Sequence, residues 1–131
     1  ATIGVDIRTI VDQDPDAVLA DLGRHLGAAV SLRRLEAAPA VASDPSDPWI
    51  ESVREIVADV RGVREPPRAA PYFTDAAYLK PALGEPPTLI LGPGDTEMAH
   101  KTDEYCDIGK LQEAVEIYTR VAQAWCSGRR A

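Results

Sequence analysis

Apolar and polar residues alternate from the first positions of the chain: Ile3, Val5 and Ile7 are separated by Gly4 and Asp6 and flanked by Thr2 and Arg8. A period of two marks a half-buried strand, because successive side chains of an extended backbone point to opposite faces. It predicts a strand over Ile3 to Ile10. The period then lengthens. Asp14 can cap a helix whose first residue, Pro15, has no N–H to leave unpaired. Val18, Leu22 and Leu26 fall on one face of that helix, and Gly27 supplies its stop. Val30, Leu32 and Leu35 predict a second strand. A strand–helix–strand unit of this size cannot cover both faces of its own sheet, so it reads as half of a small α/β sandwich.

A stretch rich in proline and aspartate follows, and Asp47-Pro48 repeats the cap-then-proline start. The next helix turns Trp49, Val53, Ile56, Val57 and Val60 inward and ends at Gly62. Arg64 to Pro71 is an irregular, proline-rich connection. Thr74 or Asp75 opens a short helix, Ala76 to Leu83, stopped by Gly84. The compact apolar run Pro87-Thr88-Leu89-Ile90-Leu91 predicts a strand buried on both faces, leaving through the sharp exit Gly92-Pro93-Gly94. Asp107 caps a final helix with Leu111, Val115, Tyr118, Ala122 and Trp125 as its apolar stripe and Gly128 at its end. The fold class is α/β, in two pieces joined by a linker. A chain that opens at Ala1, inside a strand and without Met, reads as a truncated or processed piece.

Composition narrows the functions open to such a chain. Of its 131 residues, 45% are hydrophobic and 27% charged, as in an ordinary globular domain. A formal net charge of -7 argues against a nucleic-acid partner, which requires clustered Lys and Arg. No run approaches the ~20 apolar residues of a membrane span, and no signal peptide is visible, so the expected compartment is the cytoplasm. Cys106 and Cys126 lack the spacing of a metal knuckle and read as reduced, partly buried thiols.

The loop from Gly92 to Cys106 carries the chemistry. His100 follows a predicted buried strand in a glycine-containing loop, the edge at which open α/β sheets bind ligands. Asp103 and Glu104 lie close behind it, carboxylates suited to accept the second N–H of a ligating imidazole. His25 sits near a helix end, where a cation complements the helix dipole, and reads as structural.

Gly92-Pro93-Gly94, then Ala99-His100, then Asp103-Glu104-Tyr105 resembles the closing motif of the metallopeptidase and deacylase family that includes acetylornithine deacetylase, succinyl-diaminopimelate desuccinylase and carboxypeptidase G. Pro71-Tyr72-Phe73-Thr74-Asp75-Ala76-Ala77 resembles that family's substrate-loop segment, with Phe73 where many relatives have glycine. Val5-Asp6-Ile7-Arg8 resembles the third strand of its lid, or dimerisation, domain. Order and spacing agree along nearly the whole chain.

The resemblance implies a zinc-peptidase α/β catalytic domain with an inserted ferredoxin-like lid. Residues 1–38 are then the second half of the lid, 39–48 a linker, and 49–131 the C-terminal part of the catalytic domain. It implies that His100 is a metal ligand and that Arg8 holds the substrate carboxylate. Thr74 and Gly94 lie near substrate, and Glu104 supports the ligand histidine. The cofactor it implies is Zn2+, two ions per active site, with Co2+ as a substitute. The substrate is an N-acyl amino acid or small peptide, and the assembly a homodimer through the lid, joined to the remainder of the parent chain. The family's His-x-Asp pair, bridging Asp, Glu-Glu pair, further acidic ligand and lid histidine have no match here. By itself the chain is therefore expected to be inactive. The competing expectation is a non-catalytic dimerisation or binding module that keeps the family fold.

Overall fold

Three of the helices begin where an aspartate captures the amides that a first turn leaves unpaired. The computed structural model describes residues 1–70, 72–99 and 101–128, and among them four helices are formed. Helix α1, Pro15–Leu26, is capped by Asp14, whose carboxylate accepts from the Asp16 amide at 2.9 Å. Helix α2, Pro48–Arg61, is capped by Asp47, with Oδ1 accepting from the amides of Trp49 at 2.9 Å and Ile50 at 3.3 Å. Helix α4, Ile108–Cys126, is capped by Asp107, which accepts from the Lys110 amide at 3.0 Å. Such a cap stabilises a helix by about 1 kcal/mol. Gly62 ends α2 in the left-handed conformation, φ 68°, where a Cβ would be strained. Helix α3, Ala76–Ala82, has no side-chain cap; the Thr74 carbonyl accepts from Ala77 N at 3.1 Å and that of Asp75 from Tyr78 N at 3.0 Å.

The chain divides into two compact units, Ala1–Ala42 with Pro71–Pro86 and Ser43–Ala70 with Pro87–Ala131. In the first, Leu32 of the 30–35 segment lies against α1 at Gly23, where an added Cβ would lie 3.7 Å from Leu32 Cδ1. Arg34 pairs with Asp16, about two turns nearer the start of α1. Tyr78 donates to Glu36 at 2.6 Å and Lys80 to the Ala42 carbonyl at 2.7 Å, which ties α3 to the segment after residue 35. Helix α1 buries no residue fully; Val18 and Leu22 are half-buried and Leu26 is exposed.

The second unit is built on the packing of α2 against α4, which run in opposite senses. Trp49 at the start of α2 meets Trp125 near the end of α4. At the other end Arg61 approaches Glu113, with Arg120–Asp59 at 2.7 Å between them. Ile50, Val53, Ala114 and Ile117 are buried in this seam. Burial of an Ile or Val side chain contributes about 1.5–3 kcal/mol. Past Gly62, Arg54 and Arg64 both pair with Glu51, and Arg54 also donates to the Glu65 carbonyl. These contacts fold the proline-rich connection back along α2.

Four sequence expectations differ from the structure. The strands expected over 3–10, 30–35 and 87–91 are absent, and no strand occurs among the described residues, so the α/β class is not formed within them. A strand exists only where a neighbour about 4.8 Å away takes up its backbone hydrogen bonds. Alternation prepares a segment for that neighbour without supplying it. Secondly, the apolar stripe of α4 is displaced by one residue: Ala114 and Ile117 face α2, whereas Leu111, Val115, Tyr118 and Trp125 are exposed. One residue is about 100° around the helix, so α4 is apolar on two adjacent faces. Thirdly, Ile50 joins Val53 as a buried residue of α2, with Trp49, Ile56, Val57 and Val60 half-buried. Finally, Cys106 and Cys126 are free and exposed rather than partly buried. No helix among the described residues is long and apolar enough to cross a membrane.

Candidate active-site segment

Leu91, which ends the apolar run, is held from the side. Its carbonyl accepts a hydrogen bond from the Tyr118 hydroxyl at 2.8 Å. Three residues earlier, the Thr88 amide donates to Ser43 Oγ at 2.8 Å. Two hydroxyls thus contact a run that has no sheet ladder. Beyond Leu91 the chain enters Gly92-Pro93-Gly94 and then two tight turns. Met98 N donates to the Asp95 carbonyl at 2.9 Å, Glu97 N to Asp95 Oδ1 at 3.0 Å, and Lys101 N to the Met98 carbonyl at 3.2 Å.

Gly94 lies beside a cleft of ≈ 90 Å³ that it lines with Leu91, Pro93, Arg61, Lys110 and Tyr118. A Cβ added at Gly92 or Gly94 would meet nothing within 4 Å, so the glycines leave open space there. The charges at the cleft are partly internal. Arg61 approaches Glu65 at 3.3 Å and Glu113 at 3.8 Å, and Lys110 adds a further cation from the first turn of α4.

The expected site residues fall in both units. Arg8 and Thr74 belong to the first unit, Gly94 and Glu104 to the second. The exposed guanidinium of Arg8 closes on Asp6 in a fork, Nη2 at 2.7 Å and Nε at 3.1 Å from the same Oδ2. Thr74 is half-buried at the entry to α3. Glu104 is exposed in the segment that leads to the Asp107 cap, just after Asp103, whose φ of 61° is left-handed. His100 lies outside the described residues. His25, in the last turn of α1, has its Nδ1 2.9 Å from the Asp21 carbonyl.

No group of three or more His, Cys, Asp or Glu side chains suited to hold a metal ion occurs among the described residues. These residues alone do not fit a dinuclear metal centre, whose ligands number at least three for each ion. The lining of the cleft by Tyr118, Lys110 and Arg61 was not among the sequence expectations. The available signal was helical spacing: Lys110, Ala114, Ile117 and Tyr118 recur on one side of α4, and Val57 and Arg61 on one side of α2.

Comparison with known proteins locates this segment in a wider group. A family model described as Peptidase family M20/M25/M40 matches residues 2–124. An acetylornithine deacetylase of Buchnera aphidicola subsp. Acyrthosiphon pisum (strain Tuc7) is 40% identical over 58 residues, 44% of this chain and 14% of that protein. The acetylornithine deacetylase of Pectobacterium atrosepticum is 36% identical over 55 residues, 42% of this chain and 14% of its own length. That of Vibrio cholerae serotype O1 is 29% identical over 79 residues, 60% of this chain and 18% of its own. The chain therefore spans less than a fifth of each of these relatives. No solved structure matches it.

Proposed function

The chain belongs to peptidase family M20/M25/M40, and from that membership we propose that it is part of a metal-dependent amide hydrolase that removes the acyl group from an N-acyl amino acid such as N-acetylornithine. The observation that carries the reading is the extent of the family match, residues 2–124. It includes the Arg8 segment, the Thr74 segment and the Gly92–Glu104 loop in one continuous order. The deacetylase names of the relatives support the substrate class.

Within this reading residues 1–38 form half of a ferredoxin-like lid, 39–48 the linker, and 49–131 the closing part of an α/β catalytic domain. The apolar runs near Ile3 and Leu89 become strands once neighbouring strands are supplied. His100 contributes one imidazole ligand, and Glu104 holds that ring in orientation. Arg8 receives the substrate carboxylate, a fit for a planar guanidinium with parallel N–H groups. Its fork on Asp6 then opens, or is shared with the incoming carboxylate. Gly94 leaves room for substrate beside the loop, and Thr74 offers a hydroxyl at the mouth of α3. The remaining ligands, for two Zn2+ or for Co2+, come from other parts of the protein, so these 131 residues by themselves are inactive. The protein works in the cytoplasm as a homodimer through its lid.

The deciding experiment is His100→Ala in the full-length protein, assayed with N-acetylornithine and for bound zinc. Loss of a ligand lowers turnover by at least about 100-fold, since even an outer-shell partner of such a ligand is worth 10- to 100-fold, and weakens one of two metals. Wild-type turnover with full metal content overturns the assignment. An intact protein that binds no metal and hydrolyses no N-acyl amino acid is instead a binding module.

A further inference from the structure

We propose that Tyr118 is a positioning residue: its hydroxyl fixes where the backbone leaves the apolar run at Leu91, and through that point the placement of the loop that contains Gly94. The role rests on the reading of the Gly92–Glu104 loop as part of the active site, and three observations carry it.

The first is the hydrogen bond itself, Tyr118 Oη to the Leu91 carbonyl at 2.8 Å, across 27 positions of sequence. Leu91 is the last residue before Gly92-Pro93-Gly94. A carbonyl held there sets the peptide plane from which the loop departs.

The second is how little else, among the described residues, holds the loop at its start. Nothing comes within 4 Å of a Cβ built at Gly92 or Gly94. Pro93 has no N–H to donate. Among the described residues, the next hydrogen bonds after Leu91 are the local ones at Asp95 and Met98, which shape the loop without tying it to a helix. Gly-Pro-Gly permits many exit directions, and one external bond selects among them.

The third is the rigidity of the anchor. Tyr118 follows Ile117 and lies one turn after Ala114, the two residues that α4 buries against α2. Its backbone is therefore carried by the packed seam, while the residue itself stays 45% exposed. A tyrosine chosen only to fill the core would have its ring buried. Here the ring flanks the cleft beside Gly94, and the hydroxyl, the group that phenylalanine lacks, makes the contact.

Tyr118→Phe keeps the ring and removes only the hydroxyl, and Thr119→Val serves as a control, because the Thr119 hydroxyl bonds within its own helix to the Val115 carbonyl at 2.7 Å. Amide hydrogen exchange, followed by mass spectrometry on the chain, reads the anchor independently of catalysis. With Tyr118→Phe, exchange in the 92–99 segment rises about three- to tenfold, as expected for the loss of one hydrogen bond, while α2 and α4 exchange as before. Thr119→Val leaves the 92–99 segment unchanged. Unchanged exchange at 92–99 in Tyr118→Phe overturns the proposal, and so does an equal rise throughout α2 and α4, which marks a merely structural residue. In the full-length enzyme the same variant lowers kcat about tenfold with KM within twofold, and normal kcat overturns the catalytic consequence. If the wild type hydrolyses no N-acyl amino acid, the hydrolase reading has failed, and the exchange result still decides whether Tyr118 holds the loop.

Discussion

Trp125 of α4 meets Trp49 of α2 edge-on, with 5.0 Å between ring centroids and 69° between ring planes. Edge-to-face geometry suits two rings whose faces are negative and edges positive, and adds about 0.5–1.5 kcal/mol to the apolar contact. Trp125 is nonetheless mostly exposed, so less of its surface is lost from water than in a core tryptophan. Trp125→Ala is expected to lower unfolding stability by about 1–2 kcal/mol. Urea denaturation followed by the fluorescence of Trp49 measures it, and a cost below about 0.3 kcal/mol would show the pair to be incidental.

The one-residue displacement of the α4 stripe gives a sharper contrast. Ile117→Ala opens a cavity in the α2–α4 seam and costs about 2–4 kcal/mol. Leu111→Ala, on the exposed face, costs less than about 1 kcal/mol. Equal costs, measured by denaturation of the two variants, would mean that the stripe at Leu111 is also buried.

The tie between Tyr78 and Glu36 is sensitive to alkali. The hydroxyl's hydrogen bond to the Glu36 carboxylate, then a small loss of hydration, then the neighbouring negative charge raise the Tyr78 pKa above its ordinary value. The folded state thus favours the neutral phenol. Its contribution is fully present below about pH 10, the ordinary tyrosine value, and is lost as pH rises through the higher folded value. Tyr78→Phe should flatten this part of the alkaline stability profile. An identical profile in wild type and variant would show that the bond does not persist in solution.

Arg8 tests the substrate side of the proposed enzyme. Replacing it with Ala in the full-length protein removes a guanidinium fork for a carboxylate, and KM for N-acetylornithine should rise at least about tenfold with kcat little changed. An unchanged KM would leave Arg8 with only its local partner, Asp6.

Much of the helical framework was legible in the sequence because its signals are local. Asp14, Asp47 and Asp107 cap amides within three residues of themselves, so Asp-Pro and Asp-Ile junctions announce helix starts without any knowledge of the fold. The strands were not settled by alternation, since a ladder depends on a neighbour remote in sequence. The register of α4 was ambiguous for another reason. With Ala114, Ile117 and Val121 on one face and Leu111, Val115 and Ala122 on the next, periodicity alone cannot say which meets α2. The Tyr118–Leu91 bond was invisible, because nothing local distinguishes a tyrosine that donates to a distant carbonyl from one that fills a core.

The outer face of α4 also governs how molecules of this chain meet one another. Ile108, Leu111 and Val115 form an exposed apolar band along the first half of a helix of 19 residues, the kind of surface through which concentrated protein self-associates. Glu at position 111 and Lys at position 115 would sit one turn apart in the favourable order for a helical ion pair, replacing stickiness with charge while leaving the Ala114–Ile117 seam untouched. The most adhesive part of the molecule is thus separable, residue by residue, from the part that holds it together.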